Sequence, residues 1–129
     1  MKKSAFVLVL LSIVAMSCIS RSENVNVVSS EEMQTLLDMD DVQLVDVRTP
    51  EEYKEGYIDH AQNIDYYSDT FEEDILELDK TKPVIVYCKS GGRSAKCAEK
   101  LIKAGFVKVY DLDGGISQWK HEGHQVTVK

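Results

Sequence analysis

The chain has 129 residues, a length that suits one folded domain. Its formal net charge of −7, offset by no basic stretch, argues against a nucleic-acid or anionic-lipid surface as partner. Three cysteines in a chain that is 43% hydrophobic do not form a disulfide scaffold, since about 110 residues can build a core without staples.

The first residues carry a separate signal. Lys2 and Lys3 precede an uncharged apolar run from Ala5 to Met16, and small residues follow. This is the layout of an export signal, with an apolar stretch too short to span a bilayer comfortably. Ala15-Met16-Ser17 places small residues where a signal peptidase reads, and Cys18 comes next. A small residue before cysteine also resembles a bacterial lipoprotein signal, in which that cysteine is lipidated. Both readings cut before Cys18. The expectation is therefore export to a bacterial periplasm, either anchored through a lipidated Cys18 or free. Residues 1–17 are the signal, 18–24 a polar tether and 25–129 the domain. Cleavage removes two of the 15 basic residues and none of the 22 acids, which leaves −9.

From Val25 onward, short apolar runs alternate with helical segments. Residues 24–28 form a strand candidate. Ser29 and Glu32 make a capping box ahead of Met33, Leu36 and Leu37. Val42 to Val47 is a strand. Thr49-Pro50-Glu51-Glu52 is a second capping box, with proline at the first helical position. Residues 61–64 make a short strand, and Phe71 to Leu78 an acidic helical segment. Val84-Ile85-Val86-Tyr87 is apolar at successive positions, as in a strand buried on both faces of a parallel sheet. A helix from about Arg93 to Ala104 stops at Gly105. Val107 to Leu112 is a strand, Gly114-Gly115 opens a helix with Ile116 and Trp119, and residues 125–128 suggest a final edge strand. The βαβα rhythm implies a mostly parallel α/β sheet.

Cys88-Lys89-Ser90-Gly91-Gly92-Arg93-Ser94 joins the buried strand to the helix after it. Ligands of open parallel sheets bind beyond the carboxyl ends of the strands, where this loop sits. A glycine-rich turn entering a helix aims several N–H groups at one point and favours an anion there. A thiol at that point ionises more readily. Gly91 and Gly92 are expected to take backbone angles that a side chain forbids, while Lys89 and Arg93 add local positive charge. Alone, Cys88 would be a small residue closing a strand. The coincidence of cysteine, glycines, arginine and a helix start favours covalent chemistry.

These motifs together resemble a single-domain rhodanese, the sulfurtransferase family that carries sulfur as a cysteine persulfide. Val45-Asp46-Val47-Arg48 with Glu52-Tyr53 is similar to the first signature. Gly56-Tyr57-Ile58-Asp59-His60-Ala61-Gln62-Asn63-Ile64 is similar to the second, which usually has His in place of Tyr57 and often Gly in place of His60. Val86-Tyr87-Cys88 with the loop to Arg93 and Ser94 resembles the active-site motif. Gly105-Phe106, Leu112-Asp113-Gly114-Gly115-Ile116 and Trp119 resemble the closing signature. The resemblance spans residues 25–129 and implies a rhodanese-like α/β fold with a five-stranded, mostly parallel sheet and helices on both faces.

It also implies a reaction and no cofactor. Cys88 would be the nucleophile, with Lys89, Ser90, Gly91, Gly92 and Arg93 binding a small sulfur-containing anion such as thiosulfate. A thiol or cyanide-like acceptor would then remove the sulfur. Lys89 and Arg93 would orient the donor. Related dual-specificity phosphatases place arginine six residues after cysteine, whereas Arg93 stands five after Cys88, and the smaller loop suits a persulfide better than phosphate. A non-catalytic or sulfur-carrier module of the same fold is the alternative. A thiol–disulfide oxidoreductase would want a second cysteine two or three residues from Cys88, and none is there.

Other residues have plainer expected roles. Cys97 is a packed, inert thiol, Asp46 and Arg48 brace the segment near Glu52, and Trp119 belongs to the core. Glu72, Glu73 and Asp74 form a solvated face. His60, His121 and His124 lack the spacing of metal ligands. Tyr66 and Tyr67 are candidates for the rim of the site.

Overall fold

The computed structural model describes residues 24–39 and 41–129, so the expected export signal and Cys18 lie outside the described residues. Five strands alternate with helices along the chain. They are β1 (Val25–Val28), β2 (Gln43–Asp46), β3 (Gln62–Asn63), β4 (Val84–Tyr87) and β5 (Val109–Leu112). The helices are α1 (Ser30–Leu37), α2 (Pro50–Glu55), α3 (Phe71–Asp74), α4 (Gly92–Lys103) and α5 (Gly115–His121). The strands form one sheet in the order β1-β5-β4-β2-β3, and every ladder is parallel. The sheet is therefore the five-stranded parallel one expected.

Strand β4 occupies the centre and is buried along its whole length, which explains its unbroken apolar sequence. One core layer gathers Val84, Val86 and Cys88 with Cys97, Ala98 and Leu101 of α4 and with Phe71 and Ile75. The opposite layer gathers Ile85 and Tyr87 with Met33 of α1 and with Ile116 and Trp119 of α5. Alternate residues of one strand feed the two layers because successive side chains point to opposite faces. Both layers stabilise the same end of β4, which carries the site. Among the described residues no helix is long and apolar enough to cross a membrane.

Several boundaries differ from expectation. Residues 125–128 form no strand of the sheet; Thr127 makes one antiparallel bridge to Tyr57, with N···O distances of 2.7 and 2.9 Å. Beyond Tyr57 the chain turns at His60, whose φ is 69°, so no longer ladder can develop. The segment from Phe71 tightens after one α-turn into a 3₁₀ turn at Ile75–Glu77, burying Phe71, Ile75 and Leu78 while Glu72 and Glu73 stay exposed. The box at Thr49 closes in both directions. At Ser29 the hydroxyl accepts from the Glu32 amide, 3.1 Å, and donates to the Glu32 carboxylate, 3.2 Å. Trp119 is in the core and donates through Nε1 to the Gln125 carbonyl, 2.9 Å.

Candidate active site

Tyr87 ends β4, and Cys88 follows with 1% of its surface exposed. The chain then turns through Lys89 and Ser90 to Gly91, whose φ of 125° is a conformation that side-chain-bearing residues rarely adopt. Gly92 opens α4 with open space where a side chain would stand and no positive φ, so the expected conformational need for glycine applies at Gly91 alone.

The turn curls around the sulfur. The Gly91 amide donates to Cys88 Sγ at 3.1 Å. The Cys88 thiol donates to Ser94 Oγ at 3.5 Å, and that hydroxyl donates to the Gly91 carbonyl at 3.2 Å. Burial pushes the Cys88 thiol up, but the Ser94 hydroxyl and the amides of Ser94, Gly91 and Ser90 outweigh it and lower its pKa. Ser94, in the quoted motif but not among the expected binding residues, is thus the side chain closest in role to the sulfur. Its place one helical turn after Gly91, at the start of α4, is the signal that could have found it.

Helix α5 holds the turn from the other side. The amides of Ile116 and Ser117 donate to the carbonyls of Cys88 and Lys89 at 2.9 and 3.0 Å. A side chain at Gly115 would meet both carbonyl oxygens at 2.5 Å, so the closing Gly114-Gly115 pair lets the helix approach the turn. The sequence motifs around Cys88 and Gly115, well separated in the chain, are two halves of one site.

Arg93 is paired with a carboxylate. Its Nη1 and Nη2 donate to Glu52 Oε1 and Oε2 at 2.6 and 3.0 Å. The Thr49 capping box fixes that carboxylate at the start of α2, and the guanidinium holds it at about 2, far below the usual carboxylate range. The Arg93 guanidinium also lies 5.6 Å from the centre of the Tyr67 ring. Tyr67, 66% exposed, therefore borders Arg93 at the rim, whereas Tyr66 turns inward, edge-on to Phe71. Lys89 is exposed, and among the described residues no carboxylate lies within ion-pair distance of it.

Asp46 and Arg48 are buried and bound to each other, Arg48 Nη2 donating to Asp46 Oδ2 at 2.7 Å and to the Gly56 carbonyl at 2.6 Å. They brace the route from β2 to α2, and so the Glu52 that holds Arg93. Cys97 lies fully buried in the Cys88 layer, where burial, aided by the nearby Asp111 charge, pushes its thiol up to about 12. It is a packed thiol and no partner for exchange. His60 and His121 are exposed, and His124 packs on Trp119. A surface recess of about 560 Å³ lined by Asn24, Asn26, Ile102, Phe106 and Lys108 lies at the other end of the strands, remote from the sulfur.

Comparison with known proteins agrees with this geometry. The model of the rhodanese-like domain matches residues 29–122. A sulfurtransferase of Allochromatium vinosum is 37% identical over 100 residues, covering 77% of this chain and 92% of the relative. Thiosulfate sulfurtransferase 16, chloroplastic, of Arabidopsis thaliana is 37% identical over 89 residues, covering 61% of this chain and 74% of the relative. The crystal structure of a rhodanese-related protein from Thermoplasma volcanium superposes with a TM-score of 0.72 at 28% identity, covering 81% of this chain and 99% of that one.

Proposed function

We propose, from the premise that this chain belongs to the rhodanese-like domain family, that it transfers sulfane sulfur through a persulfide on Cys88. The observation that carries the reading is the Cys88 sulfur itself. It sits at the carboxyl end of the central strand and the start of α4, with the Gly91 amide and the Ser94 hydroxyl against it and its pKa lowered. Such a sulfur is a nucleophile that needs no separate base.

In the first half-reaction the Cys88 thiolate attacks the outer sulfur of a donor such as thiosulfate. The donor's S–S bond breaks, sulfite leaves with the bonding pair, and the negative charge moves to the outer sulfur of the new persulfide. In the second, a thiol or cyanide-like nucleophile takes that sulfur and Cys88 leaves as thiolate. The amides of the turn and the α4 dipole favour the anion in both states. Lys89 draws the anionic donor, and Arg93, tied to Glu52, holds the turn in shape. That the Arabidopsis relative is named a thiosulfate sulfurtransferase supports thiosulfate as donor, and the five-residue step from Cys88 to Arg93 supports sulfur over phosphate.

The deciding experiment is mass spectrometry of the protein after thiosulfate treatment. Wild type should gain one sulfur atom on Cys88, removable by cyanide, and Cys88→Ser should gain none. A wild-type protein left unchanged by thiosulfate, polysulfide and a thiol persulfide would end the reading. In the same proposal residues 1–17 direct export and Cys18 carries the lipid. Incorporation of a fatty-acid analogue that is lost in Cys18→Ser tests it, and an unlabelled mature protein would exclude the anchor.

A further inference from the structure

Cys88 keeps only 1% of its surface exposed, so the turn admits the terminal sulfur of a donor and little else. Whatever carries that sulfur must lie at the mouth of the turn, against the side chains that stand there. Tyr67 is one of them. The Tyr66 amide donates to the Val47 carbonyl at 3.1 Å, and the Val47 amide donates to the Tyr87 carbonyl at 3.0 Å. Val47 thus runs beside the residue that leads into Cys88, one strand spacing of about 5 Å away. The Tyr66–Tyr67 segment is tied to it.

Tyr67 is held in place from several sides. Its amide donates to Asp65 Oδ1 at 2.9 Å, and its ring meets Tyr66 edge-on with centroids 5.7 Å apart. Tyr66 is in turn edge-on to the buried Phe71 at 5.0 Å. The Arg93 guanidinium, five residues beyond Cys88, lies 5.6 Å from the Tyr67 centroid. Even with these contacts 66% of Tyr67 is exposed. An aromatic ring fixed in water beside the nucleophile's turn is a surface on which an apolar or flat group can lie.

Charge at the mouth is uneven. Arg93 is matched by Glu52 through two hydrogen bonds, so the Tyr67 side is close to neutral. Lys89 is exposed, and among the described residues no carboxylate lies within ion-pair distance of it. A small hydrated anion such as thiosulfate uses the lysine and gains nothing from the ring. A donor with a carbon body uses both. We propose, given sulfur transfer through Cys88, that Tyr67 is a specificity-determining residue that turns the site toward donors carrying sulfane sulfur on an aromatic organic group. An aryl thiosulfonate is the simplest of these. The Cys88 thiolate attacks its outer sulfur and the S–S bond breaks. The aryl sulfinate leaves with the bonding pair, and the negative charge passes to the outer sulfur of the Cys88 persulfide. The aryl ring lies on Tyr67 while the sulfonyl oxygens face Lys89.

The test compares kcat/KM for benzenethiosulfonate, methanethiosulfonate and thiosulfate in wild type, Tyr67→Ala and Tyr67→Phe, with cyanide as the common acceptor. In a double displacement this quantity reports the donor's half-reaction alone. Tyr67→Ala should lower the ratio of the benzene to the methane donor about tenfold, mainly through a higher KM for the aryl compound. Tyr67→Phe should restore the ratio, because the ring and not the hydroxyl makes the contact. A ring that only shapes Arg93 would slow all three donors alike and leave the ratio where it was. An unchanged ratio in Tyr67→Ala, or an equal loss in Tyr67→Phe, would overturn the proposal and leave transfer through Cys88 standing. Transfer from none of the three donors to wild type would overturn both.

Discussion

Arg93 and Glu52, far apart in the chain, close a two-point ion pair, Nη1 donating to Oε1 at 2.6 Å and Nη2 to Oε2 at 3.0 Å. The pair joins the start of α4 to the start of α2. The arginine that the sequence suggests as a donor clamp is thereby engaged with a carboxylate, which ties the two helix starts together.

Glu52→Gln should cost about 1–2 kcal/mol of stability at pH 7, in the range of a well-made but partly exposed pair. Arg93 holds the Glu52 carboxyl at about 2, below its ordinary 4.5. A folded value below the unfolded one means the contribution is present above pH 4.5 and lost as pH falls toward 2. Urea unfolding of both proteins across that range checks it; equal stability at pH 7 would show the pair to be idle. Arg93→Ala and Glu52→Gln should also lower sulfur transfer by similar factors, roughly ten- to hundredfold. A rise in the thiosulfate KM confined to Arg93→Ala would return Arg93 to the donor.

Ser94→Ala should raise the Cys88 pKa more than Arg93→Ala, because the hydroxyl and the turn amides lower it while burial opposes them. Alkylation by iodoacetamide as a function of pH reports the order. Cys97→Ala should leave the alkylation of Cys88 unchanged and cost about 1 kcal/mol through a small buried gap.

Gly115→Ala should displace the Cys88 turn. A side chain there meets two carbonyl oxygens at 2.5 Å and must adopt a φ of 59°. The backbone strain alone is worth about 1–2 kcal/mol, and the clash adds to it. Thermal unfolding should fall, and persulfide formation should drop further than the stability loss explains. Wild-type activity in Gly115→Ala would mean that α5 does not brace the turn.

Asp111→Asn should be more stable than wild type at pH 7 and no more stable near pH 3. The folded carboxyl titrates at about 6 against an ordinary 3.8, so burial disfavours its ionised form. Between those values the unfolded chain has released a proton that the folded one keeps, and stability therefore falls as pH rises. The cost at neutral pH is about 1–3 kcal/mol. Parallel unfolding curves at pH 3 and pH 7 would measure it, and a variant equally or less stable at pH 7 would contradict the assignment.

The turn and its cysteine were legible because their signals are local. Apolar residues at successive positions of Val84–Tyr87 mark a central strand, and glycines next to a helix start mark an anion-holding turn. The Thr49–Glu52 box is likewise a four-residue pattern that fixes a helix end wherever it occurs. The lack of a final strand at residues 125–128 was not legible. Gln125–Val128 alternates as an edge strand does, but a strand needs a partner of matching length, and the turn at His60 removes it.

From its residues alone the chain determines a parallel α/β sheet, the position of Cys88 at a strand end, and the capping that starts α2, since each follows from periodicity or from short-range hydrogen bonding. Tertiary structure decides which charges meet. It pairs Arg93 with Glu52, lays the Gly115 helix on the carbonyls of Cys88 and Lys89, and encloses Asp111 with one oxygen unpaired. Those outcomes depend on the strand order β1-β5-β4-β2-β3, which brings residues distant in sequence to the same end of the sheet. Side-chain pairing and burial act over a few ångströms in space, and no spacing along the chain encodes that distance.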